Sequence, residues 1–227
     1  EYYGRGVRAL FPVHKYDNKF SPGDGASDFI ELGNFLNSGH WTNMTEDCPA
    51  GVPGTGGEIT FGGLQQPRDE YLSPAPNDLS GFPDAPVQTV FTYVADIMEP
   101  SIPGSWCQNG GLTTFGEALL TGMMQRGMII ELDHFSSWSY QQAFELLEAN
   151  DYPASGSHGR NYDGKIFEIG GVSKIGFGRC QDPADPGSTL RGYLNEVALM
   201  AEKGAYPAPG FGFDFNGFAG ALGPRFG

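Results

Sequence analysis

The chain has 227 residues and carries 27 acidic against 13 basic side chains, a formal charge of −14 at pH 7. That length is enough for one sizeable core and is read as a single domain, 1–227. The acidic excess argues against a nucleic-acid backbone or an anionic membrane surface as partner and weakly favours cations. No apolar run approaches the roughly 18 residues of a membrane span. No basic-then-apolar leader opens the chain, which begins on Glu1 rather than on a methionine, as a processed or trimmed terminus would.

Gly6 to His14, "GVRALFPVH", reads as a β-strand: a short apolar run opened by glycine and closed by proline and polar residues. "ASDFIELGNFLNSG" follows with helical spacing of Phe29, Ile30, Leu32, Phe35 and Leu36, and Gly39 as its stop. From His40 to about Asp84 turn formers dominate and periodicity fades. Such a stretch is read as a lid or insertion, about residues 40–86, with short hairpins of its own. "VQTVFTYVADIME" then restores a helical face through Val90, Phe91, Val94 and Ile97.

The next helix is expected over "LTTFGEALLTGMMQRG", with Thr114 and Glu117 as a capping box, an apolar face of Phe115, Ala118, Leu119 and Met123, and Gly127 as its end. "MIIEL" is short and β-branched, so it is read as a strand. "SSWSYQQAFELLEAN" has Ser136 or Ser137 as N-cap and Tyr140, Ala143, Phe144 and Leu147 on one side. "YPASGSH" and "KIFEIGGV" read as strands, "LRGYLNEVALMAEKG" as a helix closed by Gly204, and "GFGFDF" as a last strand.

Strands alternating with helices point to βαβ units and a parallel sheet, closed as a barrel or open and doubly wound. In both architectures functional groups collect at the carboxyl ends of the strands. That places His14, His134, His158 and Asp214 on one rim. Imidazoles ending successive strands are what a divalent metal such as zinc requires: rigid neutral nitrogen donors with a position left for water. A metal so held lowers the pKa of its water to about 7. Asp214, in a glycine-flanked apolar run, reads either as a carboxylate that handles a proton on the reacting group or as a turn or cap residue. Asp133 and Glu131 alternate along their strand, with Asp133 facing away from His134. His40 is read as a surface residue of the insertion.

Other chemistries lack their signatures. There is no G-x-S-x-G elbow, and "SGSHG" lacks the lysine of a phosphate loop. Cys48, Cys107 and Cys180 have no metal-type spacing. They leave two readings open: a Cys48–Cys107 disulfide with one free thiol, which suits an oxidising compartment, or three buried thiols.

Four motifs in order then carry a resemblance. "LTTFGEALLTGMMQRGMIIELDHFS" is similar to the segment of the membrane (renal) dipeptidase family, in the amidohydrolase superfamily, that ends "GMIIDLSH" and a serine. "YPASGSH" resembles that family's next strand, "GRGVRALFPVHKYDN" its earlier "LGVRYLTLTH" strand, and "GFGFDFNG" its "GFGSDFDG". The motifs run from residue 4 to 217.

The resemblance implies an α/β fold of the (β/α)₈ TIM-barrel type and a metal-dependent hydrolase of dipeptides or similar small amides. In that scheme His134 and His158 ligate one metal of a binuclear centre, usually zinc. His14 touches the substrate and polarises its carbonyl, Asp214 is the acid/base at the leaving amine, and Arg160 is the nearest candidate for the substrate carboxylate. The family's histidine-x-aspartate pair and bridging glutamate have no counterpart here, since no H-x-D or H-x-H occurs. The expectation is therefore the later portion of a barrel, its other ligands ahead of Glu1. Asp133 stands where the family has serine, Glu131 where it has aspartate, and Asn216 where it has its second aspartate. Lactones, cyclic amides or N-acyl amino acids are alternative substrates, and a degenerate barrel that binds a small ligand or partner without catalysis is the rival class. No nucleic-acid partner and no membrane span are expected, homo-oligomers are left open, and a secreted or periplasmic location is favoured.

Overall fold

The computed structural model describes residues 1–24, 37, 42, 44–52, 55–59, 102–175 and 187–211. The expected helices around Phe29 to Leu36 and Val87 to Glu99, much of the insertion, and Cys180 and Asp214 lie outside them. The described part is mixed α/β. It forms two compact units: the first comprises Glu1–Phe11, Thr121–Asp133 and Phe144–Gly227, the second Pro12–Leu120 and His134–Ala143.

The first unit is built on short parallel strands. β1 (Ala9–Leu10) pairs with β5 (Ile129–Ile130), and β6 (Ser155–Gly156) pairs with β7 (Val172–Ile175), which pairs with β8 (Gly210–Phe211). A single parallel bridge, Glu131 to Ser155, joins β5 to β6. The spatial order β1-β5-β6-β7-β8 is thus the chain order, each strand laid beside the one before. The expected strand over Gly6 to His14 narrows to two residues, because Pro12 cannot donate to a ladder and Gly6 is already left-handed at φ 98°. Ile130, Leu132, Ile166, Phe167 and Met200 are fully or almost fully buried here.

"KIFEIGGV" corrects the sequence reading. Lys165–Glu168 is a helical turn, α3, and only Val172 onward is strand. Asn161 explains the switch: its Oδ1 accepts the Ile166 amide at 3.0 Å, while Gly170, at φ 71°, turns the chain into β7. Gly171 passes so close to the Ala154 carbonyl that a side chain would not fit. The last helix, α4 (Ser188–Glu202), ends as expected before Gly204, which is left-handed at φ 74°.

The second unit contains an antiparallel sheet, β2 (Met44–Thr45), β4 (Ile102–Gln108) and β3 (Thr55–Ile59), in the order β2-β4-β3. β2 and β3 lie within residues 40–86, but both pair with β4, outside that stretch, and not with each other as a hairpin of its own would. β4 has no forewarning in the sequence, since its proline and glycine break the alternation on which a strand reading depends. Cys48 and Cys107 form a disulfide with Cα atoms 5.7 Å apart, which settles the open cysteine pairing.

Two helices carry the chain toward the candidate residues. α1 (Thr114–Met124) is capped by Thr113, one residue earlier than the capping box suggests: its Oγ1 accepts the Gly116 amide at 3.1 Å. Its buried face is also rotated. Gly116, Leu120 and Met123 are buried, and Phe115 is 64% exposed. Gly116 sets this rotation by lying against the Phe20 carbonyl, where any Cβ would collide. α2 (Ser137–Glu148) is capped by Ser136, whose Oγ accepts the Ser139 amide at 3.1 Å, and it buries Tyr140, Ala143, Phe144 and Leu147 as the spacing predicts. No helix among the described residues is long and apolar enough to cross a membrane.

Candidate functional site

In the first unit, the chain runs on from β5 through Glu131, Leu132 and Asp133, all buried. Glu131, at a bridge position, and Asp133, in the turn that follows, sit two residues apart. Both carboxylates point at the segment that follows β6. Glu131 Oε1 accepts the Ser155 hydroxyl at 2.9 Å, and its Oε2 accepts the Ser157 amide at 3.0 Å. Asp133 Oδ2 accepts the His158 amide at 2.8 Å, and its Oδ1 accepts the Arg160 amide at 3.0 Å. Four donors over residues 155 to 160 are thus held by two side chains of the segment that follows β5, each through charge-assisted bonds.

This clamp explains how a two-residue strand can present His158 reproducibly. The chain leaves β6 through Gly156, whose position would put a Cβ against Ile166, and turns at Gly159, φ 89°. The Gly159 amide closes the turn on the Gly156 carbonyl at 2.8 Å. His158 is half-buried and meets the Phe11 ring edge-on, with centroids 5.9 Å apart. Arg160 donates from Nε to the Tyr162 hydroxyl at 2.6 Å, and its guanidinium lies 5.4 Å from the centre of that ring. Burial pushes the Asp133 carboxyl above its ordinary value of 3.8; the His158 and Arg160 amides pull it back, and the charge of Glu131 adds to the rise.

In the second unit, His134 is 6% exposed and adopts a left-handed backbone, φ 67°. A non-glycine residue in that region costs about 1–3 kcal/mol and persists only where its surroundings impose it. Phe135 does so by bridging to Gly23, and the Ser136 amide bonds the Pro22 carbonyl at 3.2 Å. The His14 ring lies against that of His134, centroids 4.3 Å apart and tilted by 51°. His14 itself is exposed and stands four residues beyond the end of β1, not directly at a strand end.

The segment after His14 brings in two residues that the sequence did not single out. Asp24 Oδ2 lies 3.2 Å from His134 Nδ1 and 2.9 Å from Lys15 Nζ. Asp24 is delivered there by a tightly bonded loop. Asn18 Oδ1 accepts the Phe20 and Ser21 amides at 2.8 and 3.1 Å, and its Nδ2 donates to the Pro12 carbonyl at 3.0 Å. Asp17 Oδ1 accepts the Gly23 amide and the fully buried Gln108 side chain, both at 2.9 Å. Gly23 runs against the Lys15 backbone, which leaves no room for a Cβ. The run "DNKFSPGD" advertises a turn. Nothing in it advertises a partner 110 residues away.

The donor chemistry in this unit fits a divalent metal. Two imidazoles stand side by side, one backed by a carboxylate as metal-bound histidines usually are. Asp24 Oδ1 is a buried oxygen with no hydrogen-bond partner among the described residues. Of the sequence-predicted residues, His14 and His134 are thus together in the second unit, and His158 and Arg160 share the clamped segment of the first. Asp214 is outside the described residues. No family model, no curated protein and no solved structure matches the chain.

Proposed function

We propose that the protein is a metal-dependent hydrolase of dipeptides or similar small amides, on a scaffold of the (β/α)₈ type. The observation that carries this reading is the His134 imidazole, buried, set on Asp24 and flanked by His14. The ordered motif resemblance supports it from the sequence side, as does the chain-order parallel pairing of β1, β5, β6, β7 and β8.

In this reading the motif resemblance assigns the metal, zinc by preference, to His134 and His158, and a second ion needs carboxylate donors beyond these two histidines. A metal of this kind supplies hydroxide at neutral pH. The chain's own residues have the remaining roles. His14 holds the scissile carbonyl in place, Arg160 receives the substrate carboxylate, and Asp214 moves a proton to the departing amine. The Cys48–Cys107 disulfide supports a secreted or periplasmic setting, where such bonds persist.

The test is metal analysis of the full-length protein, with hydrolysis measured on a dipeptide panel, for the wild type, His134→Ala and His158→Ala. Metal bound by the wild type, and both metal and hydrolysis lost in each variant, is the expected outcome. Wild-type metal content and turnover in both variants would sink the proposal. A wild type that hydrolyses no dipeptide even with added zinc or cobalt would instead favour a barrel that binds a ligand without catalysis.

A further inference from the structure

We infer that Asp24 is a positioning residue for His134: it accepts the Nδ1 proton and so fixes the tautomer in which Nε2 carries the lone pair. The inference rests on the reading of His134 as a metal ligand and extends it to a residue that the motifs do not touch. Three observations combine. Asp24 Oδ2 already accepts a hydrogen bond from the Lys15 ammonium, at 2.9 Å, so this oxygen is an acceptor and His134 Nδ1, at 3.2 Å, must be the donor. The site is sheltered: the side chains of His134 and Asp24 are 7% and 14% exposed, so water competes weakly for the bond. And Asp24 has little freedom to leave, because the preceding Gly23 is fixed through its amide to Asp17 and through its carbonyl to Gln108 Nε2 at 3.0 Å.

The consequence is chemical. A neutral imidazole binds a metal through the nitrogen that lacks a proton, and the partner of the other nitrogen decides which one that is. Lys15, 2.9 Å from the same oxygen, keeps Asp24 Oδ2 oriented beside His134 and balances its charge.

The experiment uses metal-free, ¹⁵N-labelled full-length protein at about pH 8.5, where an ordinary imidazole is neutral. Two-bond ¹H–¹⁵N correlations identify the protonated nitrogen of each histidine, with His134 assigned from His134→Gln. The expected wild-type result is a protonated Nδ1 and an unprotonated Nε2. Asp24→Ala should lose that preference and weaken zinc binding on the order of 10–100-fold. Asp24→Asn, which can still accept through its amide oxygen, should largely retain the tautomer. A wild type protonated at Nε2 overturns the inference whatever the variants do. So does an Asp24→Ala protein that keeps the wild-type tautomer. If no zinc binds at all, the hydrolase reading fails and the tautomer alone decides this one.

Discussion

Asp133→Ala tests the clamp on the segment that carries His158. The substitution removes both acceptors of the His158 and Arg160 amides, at 2.8 and 3.0 Å, from a side chain that is 1% exposed. A hydrogen bond to a charged group contributes about 1.5–3 kcal/mol, so the two together supply about 3–6. Burial of the carboxylate works against this, as its raised pKa records. A net loss of about 2–4 kcal/mol at neutral pH is therefore expected, read as a lower denaturation midpoint. The two amides should also exchange with solvent about 30-fold faster or more, since each 1.4 kcal/mol is a factor of ten.

The pH dependence has a definite sign. A carboxyl whose pKa is higher in the folded state binds its proton more tightly there than in the unfolded chain. Its contribution is fully present below its unfolded value, near 3.8, and is lost as pH rises through the folded value. The stability gap between wild type and Asp133→Ala should then narrow as pH rises from about 3.5, on the ordinary carboxylate scale, toward neutrality. Unchanged exchange at His158 and Arg160 would refute the clamp, whereas a gap that widens with pH over this window would refute the dominance of burial over the two amide bonds in setting the Asp133 pKa.

Three further outcomes follow from the fold. Reducing the Cys48–Cys107 disulfide, or replacing both residues by serine, frees a closure spanning a sequence separation of 59 and should cost up to about 4 kcal/mol in reversible denaturation. Gly127 and Gly116 should respond differently to alanine. Gly127, at φ 62° with open space around its Cβ position, should lose about 1 kcal/mol from backbone strain alone; Gly116, set against the Phe20 carbonyl, should lose clearly more, and equal melting temperatures would contradict the packing of α1. Ser136→Ala should cost about 1–2 kcal/mol, because its hydroxyl both caps α2 and donates to the Gly110 carbonyl at 2.6 Å; denaturation against a Ser137→Ala control checks which serine is the cap.

What was legible in the sequence is what local periodicity controls. Tyr140, Ala143, Phe144 and Leu147 are spaced for one helical face and are buried together. Gly127 and Gly204 stop their helices because they alone take a left-handed backbone without cost. The face of α1 was not legible, because a backbone approach at Gly116 decided it and hydrophobicity did not. "KIFE" has a strand's composition, but Asn161 and Gly164 start a helical turn. At the candidate site, the alternation of Glu131 and Asp133 was visible, yet not their target, since backbone amides leave no trace in side-chain identity. Asp24 was invisible for a related reason: its partnership with His134 exists only through the loop that Asn18 and Gln108 hold in place.

The acidic partners described at these two places alter what the net charge of −14 means. Asp17, Asp24, Glu131 and Asp133 engage partners within the fold: amides, a serine, a glutamine, a lysine and a histidine. Added salt screens exposed charges within about 10 Å at 0.1 M but reaches sheltered pairs far less. Long-range attraction of a cation by the chain should therefore fade quickly with ionic strength, while the geometry around His134 and His158 stays as it is. On the proposed reading, salt would then slow the arrival of a metal ion without loosening the residues assigned to it.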